Sequence, residues 1–158
     1  MRAKELTETF QDDANHAKAL KKTGFWGKAG SGVLLFATST KRFGIALRSA
    51  GVEQPRTWGV VGGALDAGLT PEQGAVKEAT QELGKLPEFK LEELDLYQNG
   101  TFRYTTFLMM VENEFKPKLN WENEDFQWFE FGQWPTPLHF GFAATIKKPE
   151  ILKRLQEL

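Results

Sequence analysis

At 158 residues, 41% hydrophobic and 13% aromatic, the chain is long enough for one domain with a sizeable core and too apolar to stay disordered. A net charge of -1 argues against broad nucleic-acid binding and against adhesion to an anionic membrane, although a local basic patch would survive it. Cysteine is absent, which excludes disulfides, thiol nucleophiles and cysteine-built zinc sites; with His16 and His139 as the two imidazoles, a metal site must be mostly oxygen, the chemistry of Mg²⁺, Mn²⁺ or Ca²⁺.

Leu6, Phe10, Ala14, Ala17 and Leu20 recur at helical spacing and predict a helix over 4–22. We read residues 1–23 as an N-terminal helix or arm packed on a single domain, 24–158, with a partner-binding arm as the alternative. The start has no apolar run of signal-peptide type, and no stretch has the length of a membrane span, so the expected location is the cytoplasm. Two strands follow, about 32–38 and 43–48, around a turn near Thr40–Arg42. "RTWGVVGG" predicts a short strand running into glycines. "LDLYQNGTFRYTTFLMMV" predicts a hairpin, with Asn99-Gly100 as a two-residue type I′ turn. "DFQWFEF" is another strand, "LHFGFAATIKK" a helix, and Pro149 starts a last helix ending at Leu158. The fold class is α/β: one domain mixing parallel and antiparallel strands between helices.

The stretch "GGALDAGLTPEQGAVKEATQELG", Gly62 to Gly84, carries the chemistry. Thr70 suits an N-cap, Pro71 the first helical position, Gln73 the third, and Gly84 the residue past the end, so the helix runs 70–83. Val76, Ala79 and Leu83 form its apolar stripe. Glu78 and Glu82, four apart, share a face off that stripe, flanked by Gln81. On spacing alone that face is either solvated or a metal site. Gly62, Gly63 and Gly68 would let the backbone approach a ligand closely. A glycine loop beside an acidic helix is a place for Mg²⁺ between carboxylates and substrate phosphates. Arg103 is either a phosphate ligand or a surface cation. Phe25, Trp26 and Trp58 are core residues or base-stacking residues, and His139 reads as structural.

These residues resemble the Nudix box. In register, Gly63 matches the box's first Gly, Glu78 the Glu after its Arg, Glu82 the second of its paired Glu, and Gly84 its last Gly. The box departs from the family where Leu69 replaces a Glu, Lys77 an Arg and Gln81 the first paired Glu, where Ala79 is a small version of an aliphatic position, and where Lys85 fails at the last one. "WGVVGG" looks like the family's strand into the loop, Arg48 like the basic residue closing the preceding strand, and "NWENEDFQWFEF" like a late segment in which an acid precedes an Asp-x-x-Trp strand.

The resemblance implies a Nudix-type α/β/α sandwich with a mixed sheet. It implies hydrolysis of a pyrophosphate bond in a nucleoside diphosphate linked to another moiety, with Mg²⁺ or Mn²⁺ as cofactor. Metal ligands would be Glu78, Glu82 and Gln81. Catalytic residues would be Glu78, Glu82 and a general base, Glu122, with Glu124 as runner-up. Substrate contacts would be Gly62, Gly63, Arg48 and Arg103. Leu69 and Lys77 cannot reproduce the Glu–Arg pair that supports the site in the family, because Leu accepts no hydrogen bond and Lys lacks the planar fork. That departure motivates an alternative: a Nudix-fold module that binds nucleotide or protein without turnover. The expected partner is a nucleotide-type small molecule, and a homodimer is left open.

Overall fold

The computed structural model describes residues 29–158, so the helix over 4–22, the arm over 1–23, and Phe25 and Trp26 lie outside the described residues. Within them the order is β1 (Ala29–Ala37), β2 (Arg42–Arg48), β3 (Trp58–Gly59), β4 (Val61–Ala64), α1 (Pro71–Leu83), β5 (Phe89–Asn99), β6 (Phe102–Val111), β7 (Asn123–Glu130), α2 (Phe140–Ile146) and α3 (Pro149–Gln156). The strands form one mixed sheet in which β6 runs parallel to β1 and the other pairings are antiparallel. Helix α1 packs on one face, and α2 and α3 pack on the other. This is the expected α/β/α sandwich. Among the described residues no helix is long and apolar enough to cross a membrane.

The sheet forks, and the fork positions the site. Residues 35–37 of β1 pair with β2, whereas residues 30–33 pair with β4. β2 continues past the parting and pairs through Ala46 and Leu47 with β3. β3 and β4 are each antiparallel to a different one of two antiparallel strands. The chain must therefore run toward the fork beside β2, reverse at Val60, and return beside β1.

Three boundaries differ from the sequence reading. β1 starts at Ala29 because the ladder to β4 and β6 recruits Gly30 and Gly32, which local propensity would leave out. β5 starts at Phe89, not Leu94, because Phe89–Glu93 pair with β6 in register. The hairpin turn is also one residue later than expected. Asn99 pairs with Phe102, which leaves Gly100-Thr101 as the two central residues. Gly100 has φ +63 while Asn99 is absent from the positive-φ residues, the pattern of a type II′ turn with Gly first.

Candidate active site

Helix α1 begins and ends as its caps dictate. Gln73 N donates to Thr70 Oγ1 at 3.1 Å and Thr70 N donates to Gln73 Oε1 at 3.0 Å, a reciprocal capping box. Gly84, at φ +79, closes the helix with its N–H on Thr80 O. Ala75, Ala79 and Leu83 are buried against Val33, Leu35, Val61, Phe107 and Met109. With only methyl groups at 75 and 79, the helix lies close to the sheet. The neighbouring face is consequently not solvated: Glu78, Gln81 and Glu82 are 8%, 9% and 2% exposed.

Glu82 is held at both oxygens. Gly62 N donates to Oε2 at 3.0 Å, and Asn123 Nδ2 donates to Oε1 at 2.7 Å. Burial, followed by the charges of Glu122 and Glu78, pushes its pKa well above the usual carboxylate range, while the Asn123 hydrogen bond and Arg48 pull it back. Gly63 is where Glu78 comes to rest: a Cβ there would lie 2.5 Å from Glu78 Oε1. The missing side chain of Gly63 thus makes room for the Glu78 carboxylate, while that of Gly62 makes room for the Tyr104 hydroxyl.

Glu122 lies immediately before β7 and accepts at Oε1 from Asn120 Nδ2 at 3.1 Å. Its backbone carbonyl accepts from Ser49 N, tying it to the loop after β2. Glu124 instead faces Arg56, at 3.4 Å, on an exposed edge. Arg48 closes β2 opposite Asn123, and its Nε donates to Glu53 O at 2.7 Å. Arg103 sits on an exposed stretch of β6 and is not among the charges acting on Glu82. Trp58 is core: it packs edge-on to Phe129 at 5.4 Å. His139 is structural, its Nδ1 accepting from Gly141 N at 3.0 Å as the N-cap of α2. Burial and then the Arg48 charge lower its pKa to about 4.

A family model described as "NUDIX domain" matches residues 28–148. The chain belongs to the Nudix family. A curated relative, "Putative 8-oxo-dGTP diphosphatase 3" of Mycobacterium tuberculosis, is 32% identical over 134 residues. That match takes in 77% of this chain but 61% of the relative, so the chain spans under two thirds of its length. The crystal structure of the Nudix hydrolase RenU from M. smegmatis superposes with a TM-score of 0.65 at 28% identity, covering 84% of this chain and 86% of that one. A C. elegans Ap4A hydrolase, at 16% identity and a TM-score of 0.59 over 81% of this chain and 96% of its own, shares the fold.

At the helix position of the family's supporting pair, Lys77 pairs with an acid other than residue 69. Lys77 Nζ forms an ion pair with Asp66 Oδ2 at 2.5 Å, both side chains about one-third exposed. The loop and the helix are thus joined by an ion pair whose acid lies three residues before Leu69. Neither Asp66 nor Asn123 stands out in the sequence. Asp66 was hidden by alignment to the family's position, and Asn123 by the acids on either side of it.

Among the described residues no three His, Asp or Glu side chains close into a ready metal cage. The donor set still fits Mg²⁺, which takes one or two carboxylates and completes its shell with water and substrate phosphate. Glu78 and Glu82 would supply those carboxylates, and the Gln81 side chain is buried in the same turn of helix.

Proposed function

We propose that this Nudix domain hydrolyses a pyrophosphate bond in a nucleotide or nucleotide derivative, using Mg²⁺ or Mn²⁺ held by Glu78 and Glu82 with the Gln81 carbonyl. The observation that supports this reading most is Glu82: a carboxylate 2% exposed, fixed by two hydrogen bonds, with Glu78 and Glu122 raising its proton affinity. Packing alone gives no reason to gather acids there, since burying like charges beside one another is costly. A bound dication would neutralise both the carboxylates and the phosphate oxygens of the substrate.

The protein's own groups have separate tasks. The Gly62 amide and Asn123 hold Glu82 in one orientation. The Asp66–Lys77 pair holds the glycine loop against the helix. Glu122 takes the proton of the attacking water, and Arg48 binds phosphate oxygens; Arg103, on its exposed stretch of β6, is left out of the site. The loop-to-helix clasp favours turnover over a binding-only module. The name of the M. tuberculosis relative makes an oxidised guanine nucleotide the first substrate to try, drawn from the cytoplasmic nucleotide pool.

The test measures, by chromatography, release of nucleotide products from 8-oxo-dGTP, dGTP, ADP-ribose and a diadenosine polyphosphate, with and without Mg²⁺. Release that requires metal and collapses in Glu82→Gln is expected. Absence of release from the whole panel, or release indifferent to both metal and Glu82, would overturn the proposal.

A further inference from the structure

Three glycines on one face of the sheet clear space for one side chain. Gly32 of β1 pairs with Gly62 of β4, and Gly30 of β1 pairs with Tyr104 of β6. A Cβ on Gly30 would meet Tyr104 Cδ2 at 2.8 Å, one on Gly32 would meet Oη at 2.4 Å, and one on Gly62 would meet Oη at 2.3 Å. The side chain therefore leaves β6, lies flat across β1, and sets its hydroxyl over β4. Glycine inside a strand weakens it, so three of them under one phenol mark a position where close approach is required.

The hydroxyl ends beside the site, on the sheet face opposite α1. The residue beneath it, Gly62, is the one whose amide fixes Glu82, and the next residue, Gly63, is where Glu78 rests. Glu82, Glu78 and Arg48 all act electrostatically on the phenol. Leu34 and Leu108, farther along the same face, are fully buried, whereas Tyr104 keeps part of its surface exposed. The Tyr104 side chain as a whole is half-buried, so this stretch of the face is not sealed as the stretch over Leu34 and Leu108 is.

We propose that Tyr104 is a substrate-contact residue, its Oη donating a hydrogen bond to a non-bridging oxygen of a phosphate chain bound over Gly62. The inference rests on the phosphate-hydrolysing reading of the same site. At neutral pH the phenol is a protonated, uncharged donor. Beside two carboxylates that repel an anionic phosphate, such a donor holds an oxygen without adding charge that would compete for the metal. Arg48 supplies the cation, and Tyr104 adds direction.

Tyr104→Phe is the test, because it keeps the ring on its glycine floor and removes only the hydroxyl. On a nucleotide that the wild type hydrolyses, kcat/KM should fall about tenfold or more with the Tm unchanged, the usual cost of losing a hydrogen bond to a charged oxygen. Calorimetric binding of α,β-methylene ADP with Mg²⁺ should weaken in parallel. A variant with wild-type kcat/KM and wild-type analogue affinity overturns the inference, and so does a loss confined to Tm. If the wild type hydrolyses nothing, the hydrolase reading fails. The analogue titration then decides for Tyr104 alone: weaker binding in Tyr104→Phe supports the contact, and equal or undetectable binding in both proteins overturns it.

Discussion

Against one face of the sheet α1 lays Ala75, Ala79 and Leu83, and buries Glu78, Gln81 and Glu82 alongside them. Against the other face α2 and α3 lay Phe142, Ile151 and Leu155 over Leu34, Phe36, Phe43 and Leu108, with Trp134 edge-on to Phe43 at 5.4 Å and to Phe142 at 5.5 Å. Both buried carboxylates among the described residues belong to α1. The aromatic face gains from area and ring geometry. The α1 face gives up part of that gain to hold ionisable groups in a dry, fixed place. On the proposed reading the α1 carboxylates carry chemistry and the aromatic cluster under α2 and α3 carries stability, so substitutions should separate the two.

Phe142→Ala tests the apolar side and should have the largest effect. Removing a ring that is 3% exposed should cost about 3–5 kcal/mol in denaturant unfolding, while the folded fraction keeps its kcat. Normal stability with lost turnover would break the division of labour. Glu82→Gln is the mirror experiment. Turnover should drop ~10²-fold or more through the lost ligand charge, yet the metal-free protein should melt no lower. Because the folded-state pKa of Glu82 is raised, its contribution to stability is full below the ordinary carboxylate range and is lost as pH rises through the raised value. The amide removes that loss. A lower melting temperature in metal-free Glu82→Gln would show that the carboxylate serves packing after all.

His139 brings a titration to the apolar side. Its folded pKa of about 4 lies below the ordinary 6.5, so its contribution is full above pH 6.5 and is lost as pH falls toward 4. The loss should reach roughly 3 kcal/mol at most in urea unfolding across that window. His139→Asn keeps a cap acceptor and should flatten the slope; an unchanged slope would assign it to other groups. The smallest effect belongs to the clasp. Asp66→Asn and Lys77→Gln should each cost about tenfold in kcat/KM, the double variant no more than either, and stability should move by less than about 1 kcal/mol. Additive losses would mean the two residues act separately.

What could be read in the sequence was local. Thr70, Gln73 and Gly84 define α1 because a cap involves neighbours in the chain, and the same holds for Pro149 at the start of α3. The i, i+4 spacing of Glu78 and Glu82 put them on one face, but whether that face was wet depended on Ala75 and Ala79 letting the helix sink toward a forked sheet. Asp66 reaches Lys77 across a loop whose path no periodicity describes. The shift of the hairpin turn to Gly100-Thr101 came from the long β5–β6 ladder overriding a good dipeptide. Tyr104 became legible only when parallel register set it opposite Gly30.

The reversal at Val60 has a mechanical consequence. The segment 58–64 hydrogen-bonds to both arms of the fork, through Trp58 and Gly59 on one side and Val61–Ala64 on the other. Opening the β2–β7 half while the β1–β6 half stays shut would therefore tear segment 58–64 from one arm and draw Asn123 of β7 off Glu82. Amide exchange at Gly59 and Val61 should follow the global unfolding rate, which makes a catalytically competent but half-open molecule a species this topology does not populate.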